Sequence, residues 1–231
     1  MEISRRFHVS VAACLAVAAI LAWSNPARAG IIVSDLGGHG EFNGSNGYNL
    51  TGPKSISGTG YGLAVEFTVG GTSPVAFGSA SLALAYRRGT NAVDILLASD
   101  NAGLPGSTLE TIHLTDIPVI PGLVTVMSTT HTMLTGGSSY WLVALATGDT
   151  NVTWLANNQG AMNHLAYRSD TGTGPGPWGL APGYLDPGFA IYSPLAANVA
   201  VPAPSSMVLL GFGLIGLAGP AARRRFRLAV A

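Results

Sequence analysis

The chain has 231 residues, of which only 10% are charged, and its 11 basic and 11 acidic side chains balance to a formal charge of zero. That balance hides a segregation. Residues 30–198 carry four cations, Lys54, Arg87, Arg88 and Arg168, against ten acids, a formal charge of −6. A protein that tracks a phosphate backbone needs a basic face, so nucleic acid is excluded as a partner. The single cysteine, Cys14, precedes this region, which therefore has neither disulfide nor thiol chemistry and must be held by its core.

In chain order, residues 1–29 have the three parts of a secretory signal peptide. Arg5 and Arg6 form a basic start, Val9 to Trp23 an apolar stretch broken only by Ser10, and Ala27-Arg28-Ala29 an A-x-A cleavage site with Ala27 and Ala29 as its small residues. The mature chain is expected to begin near Gly30. Val11 to Cys14 and Ser4 to Phe7 fit the lipobox and twin-arginine patterns only in part, and ordinary export is the reading.

Residues 30–198 are long enough for one domain and short for two. Ile31 to Val33 predicts an edge strand, followed by a long Gly- and Asn-rich loop to Pro53. Leu63, Val65, Phe67 and Val69 recur at period two, the signature of a half-buried strand. Phe77 to Tyr86 and Ala92 to Ala98 read as strands joined by a hairpin connection at Arg87-Arg88-Gly89-Thr90-Asn91. Ser99 to Gly106 is a dense turn cluster. Thr108 to Thr115 and Leu123 to Leu134 continue the series. Ser139 to Leu145 is apolar on both faces and so predicts a central strand, with Val152 to Ala156 pairing beside it. Asn157 to Pro187 reads as loose, and Phe189 to Tyr192 as a last short strand. The expected fold is all-β, an antiparallel β-sandwich of jelly-roll type, as an ectodomain flanked by a signal peptide and a C-terminal transmembrane helix.

Val93 to Gly106, then Leu134 to Leu142, then Trp154 together resemble the choice-of-anchor R type domain, a bacterial β-domain that comes with interchangeable C-terminal anchors. The resemblance spans most of residues 60 to 193 and implies a surface-displayed module with no catalytic residues to transfer. The chain carries no G-x-S-x-G elbow, H-E-x-x-H, P-loop or EF-hand loop. No metal, cofactor or catalytic residue is expected, and the chain is read as a non-enzyme. His39, His113, His131 and His164 are scattered, and Asp94 and Glu110 read as solvated charges on strand faces. Flat apolar rings with a polar edge suit sugars, which makes Trp178 and Tyr184, in the Gly- and Pro-rich loop, the candidate ligand-binding residues. Trp141 reads as core.

The chain closes on a spacer at 199–206, an apolar segment at 207–222 and a basic tail at 223–231. The 16 uncharged residues of the middle segment would span about 24 Å as a helix, a little under a bilayer core of about 30 Å. Arg223, Arg224, Arg225 and Arg227 resist translocation and predict a cytoplasmic end. With Val201-Pro202-Ala203-Pro204 ahead of it, this tail resembles the PEP-CTERM sorting signal, a type also catalogued as an ice-binding protein C-terminal domain. Ala203 stands where that family usually has Glu. The resemblance implies an exosortase, a membrane protease that cuts near the Pro-x-Pro motif, as partner. The expected product is an exported protein, membrane-anchored and then at the cell surface or extracellular, with a structural or matrix role. The alternative is a carbohydrate-binding module whose partner is an extracellular polysaccharide.

Overall fold

Short runs of alternating apolar residues between glycine-rich turns give the chain many strands and no helix among its described residues. The structure, a computed structural model, describes residues 30–171 and 174–194. The expected signal peptide, sorting motif, transmembrane helix and basic tail lie outside the described residues. Within them no helix is long and apolar enough to cross a membrane.

The strands are β1 (Ile31–Ser34), β2 (Phe42–Thr51), β3 (Gly60–Thr68), β4 (Val75–Ala76), β5 (Ser79–Arg88), β6 (Ala92–Asp100) and β7 (Pro105–Thr115), then β8 (Gly122–Met127), β9 (Met133–Leu134), β10 (Ser139–Ala146), β11 (Asn151–Asn157), β12 (Leu165–Asp170), β13 (Gly179–Leu180) and β14 (Phe189–Tyr192). All pair antiparallel, in one curled sheet of order β1-β14-β5-β11-β2-β3-β10-β6-β7, apart from the small β4-β9 pair. The sheet has two arms. In one, β8 lies along one edge of β5 while β14 and β11 share its other edge end to end, and β2 follows β11. In the other, β12, β3, β10, β6 and β7 lie side by side. A single residue pair, Thr51 with Tyr61, joins the arms.

Because the sheet curls at that joint, the inward residues of both arms meet in one core. Leu50, Leu82, Leu84, Val126, Val152, Trp154 and Ile191 of the first arm share a cluster with Leu63, Val65, Phe67, Val93, Ile95, Leu97 and Leu142 of the second. Trp154 is fully buried there, and its Nε1 donates to the Gly188 carbonyl at 3.0 Å, which satisfies the one polar atom of the ring. Removing such a ring costs about 3–5 kcal/mol. A second cluster covers the other face of β10: Ala64, Ala98, Trp141, Val143 and Ala166 pack together, with Trp178 partly buried against them. The strand expected to be central from its two apolar faces is therefore buried on both and flanked by β3 and β6.

Three stretches differ from expectation. The Gly- and Asn-rich segment after β1 contains a ten-residue strand, β2, because Tyr48 and Leu50 supply an inward apolar phase that suffices once β11 offers a partner. Its register with β11 jumps from Gly47↔Leu155 to Phe42↔Asn157, so residues 43–46 bulge out of the ladder. Leu123 to Leu134 is interrupted between β8 and β9 by a turn built on Glu110, which is buried rather than solvated. The Glu110 carboxylate accepts from Ser128 Oγ at 2.8 Å and from the backbone N–H groups of Thr129 and Thr130 at 2.8 and 3.2 Å. Burial raises its pKa, and these donors outweigh burial and hold it below the usual carboxylate range. Finally, the segment read as loose contains β12, which adds to the free edge of β3.

Candidate functional site

The inward phase that builds the core runs on past it. On β3, Tyr61 continues the series Leu63, Val65, Phe67; on β12, Tyr167 follows Leu165; on β2, Tyr48 precedes Leu50. At the end of the core where the arms part, these positions reach solvent, and tyrosine is the residue that keeps an apolar body inward with a polar tip outward. Tyr48, Tyr61, Tyr167 and Tyr184 line one cleft of about 580 Å³, floored by Leu63, Leu165 and Ala181. Tyr61, Tyr167 and Tyr184 are 45%, 48% and 57% exposed, far more than core rings.

The cleft is pre-formed at its β2 wall. Tyr48 Oη donates to the Leu185 carbonyl at 2.6 Å, and the Tyr184 ring stands edge-on to Tyr48 with centroids 6.3 Å apart. Burial, with the negative charge of Asp186 nearby, raises the Tyr48 pKa, so this phenol stays neutral and a donor. The cleft offers aromatic faces, an apolar floor and phenol hydroxyls, with no His, Cys, Asp, Glu, Lys or Ser among its lining residues.

Of the two ligand-binding residues expected from sequence, the structure brings Tyr184 into this cleft and places Trp178 elsewhere. The Trp178 ring packs on the Trp141 cluster with the Arg168 guanidinium 4.8 Å from its centroid. Tyr48, Tyr61 and Tyr167 line the same cleft and are not among the residues expected from sequence. Tyr61 was legible as the next member of the β3 alternation, whereas Tyr48 sits in a segment read as loop and Tyr167 in one read as loose.

A second cavity, of about 430 Å³, lies between β1 and β3 and is lined by Asp35, Glu66, His164 and Asp186 among others. Buried Asp186 accepts from the His164 backbone N–H at 2.9 Å and pairs with His164 Nδ1 at 2.8 Å. Asp35 Oδ1 accepts from Phe189 N at 2.7 Å while Oδ2 is buried without a partner. Desolvation, with Asp186 adding to it, raises the Asp35 pKa to about 7. Among the described residues no group of three His, Cys, Asp or Glu side chains is placed to hold a metal. Asp94 and Glu110 do not converge: Asp94 pairs with His113 at 2.7 Å, and Glu110 holds its turn. The Asp100 carboxylate takes the Gly103 N–H and Trp141 Nε1, completing the turn between β6 and β7.

No curated protein and no solved structure matches the chain. The family match lies in the tail and leaves the resemblance of residues 60 to 193 to the choice-of-anchor R type domain without support of its own. Residues 200–225 match the PEP-CTERM protein-sorting motif, which marks an exported protein sorted by a membrane exosortase.

Proposed function

We propose that this protein is a non-enzymatic module of the extracellular polymer layer that holds polysaccharide in its tyrosine cleft. On this reading the signal peptide exports the chain, and the segment 207–222 anchors it with its arginines inside. The exosortase then cuts near Val201 to Pro204 and frees residues 30–198 for display as a jelly-roll sandwich. The strand order supports the last point: β2-β11-β5-β8 and β3-β10-β6-β7 are two four-stranded layers between which the chain crosses at every step from β2 to β11 except the β6–β7 hairpin.

The observation that carries the binding reading is the convergence of four tyrosines, three of them well exposed, on one cleft. Sugar rings present patches of C–H that stack on such faces, and the phenol tips and the backbone of the rim supply hydrogen bonds to hydroxyls. A cleft without a placed acid–base pair suits holding a glycan better than cleaving it. In affinity electrophoresis through polysaccharide-containing gels, retardation of the wild type should be lost with Tyr184→Ala and with Tyr167→Ala, both about half exposed and each checked for an unchanged melting temperature, and kept with Trp178→Phe. Unretarded wild type in every polysaccharide tried leaves only the structural role.

A further inference from the structure

Resting on that reading, we infer that the polysaccharide is anionic, and that Arg87 and Arg88 form the subsite that reads its charge. The tyrosine cleft does not end at β2. Gly47 and Asn49 line it and also line a neighbouring groove of about 500 Å³. That groove is of a different character. Its walls are Arg87, Arg88, Asn46, Asn49, Asn151 and Thr153, with no acid and no aromatic ring among its lining residues.

In a region with a formal charge of −6, two of only four cations face one acid-free groove. A polyanion is repelled by most of this surface and meets paired guanidinium groups only here, so the charge pattern selects the register of the chain as well as its class. Guanidinium is also the cation that grips a carboxylate or sulfate through two parallel N–H donors.

The groove is built and not merely charged. Arg87 Nε donates to Thr153 Oγ1 at 2.9 Å, and Thr153 Oγ1 to Asn49 Oδ1 at 3.2 Å, a ladder across β5, β11 and β2 that fixes the Arg87 stem. The 43–46 bulge walls the far side, with Asn43 Oδ1 accepting from Ser45 N and Asn46 N to hold its shape. Asn151, which also lines the groove, has its Oδ1 buried with no hydrogen-bond partner. A chain crossing β2 at Gly47 therefore stacks on tyrosine on one side and presents its acidic groups to arginine on the other.

The test uses the mature protein, exported, processed and purified, with polygalacturonate, dextran and phosphatidylglycerol vesicles as probes. Arg87 and Arg88 are exposed, so the Arg87→Gln/Arg88→Gln variant should fold, and Lys54→Gln removes a cation elsewhere. Expected are preferential binding to polygalacturonate, weakened by salt, a loss of about tenfold or more in the arginine variant, and no loss in Lys54→Gln. Equal binding to dextran, lowered by Tyr184→Ala but indifferent to the arginines, would overturn the anionic subsite and leave the sugar cleft standing. Binding to neither polysaccharide would overturn both. Binding to vesicles without polygalacturonate would assign the groove to lipid headgroups and overturn the proposal.

Discussion

Asp35 shows how one side chain sets a pH dependence for the fold. Its Oδ2 is buried without a partner and its pKa rises to about 7, above the value of 3.8 ordinary for an aspartate. A carboxyl with a raised folded-state pKa binds its proton more tightly in the folded chain, so the stability it lends is full below the unfolded value and is lost as pH rises through about 7. Asp35→Asn keeps an oxygen for the Phe189 N–H and removes the charge. The variant should melt about 3–6 °C above the wild type at pH 8 and show little difference at pH 4, by calorimetry. Glu110 works in the opposite direction. Its lowered pKa means that the stability it lends is present above the unfolded value and lost as pH falls through the folded one. Glu110→Gln should therefore be least harmful in acid.

At the scale of elements, β2 decides both the fold and the site, since it closes the first arm and lies between the cleft and the groove. Its weak propensity is offset by pairing with β11 and by two inward residues, and Gly47 is the point of closest approach. A Cβ there would meet the Trp154 carbonyl oxygen at 2.7 Å and Leu155 Cα at 2.9 Å. Gly47→Ala should destabilise by about 1–3 kcal/mol, whereas Gly44→Ala, with open space around it, should be near neutral in denaturant titration. The same element marks where sequence reading ran out. Runs at β3, β5, β6 and β11 announced themselves through apolar residues at period two, and β10 through apolar residues on both faces. In β2 and β12 each strand has two or three inward residues set among Gly, Asn or Ser, and only the neighbouring strand decides. Tyr184 could be chosen from sequence because it stood in a loop, but its three companions come from strands far apart in the chain. Their convergence is a property of the curl, not of any local pattern.

For the molecule as a whole, the tail is an address, and the cleft is the place of use on the function proposed above. The sorting motif at residues 200–225 leads to a processing prediction. Mass spectrometry of surface-released protein should find a C-terminus at or near Val201 to Ser206, and Ala203→Glu, which supplies the acid usual at that place, should raise the processed fraction. Serine at Arg223, Arg224, Arg225 and Arg227 should leave uncut precursor mislocalised, because each charge opposes entry to the bilayer centre by about 2.5–3.5 kcal/mol. The proposed binding is tested most directly by mapping where an oligosaccharide touches residues 30–198. In nuclear magnetic resonance of the mature protein titrated with polygalacturonate fragments, shifts should concentrate at Tyr61, Tyr167 and Tyr184 and cross Gly47 to the Arg87 side. Shifts centred on Trp178, or on the Asp35 and His164 cavity, or the absence of any saturable shift, would contradict the account.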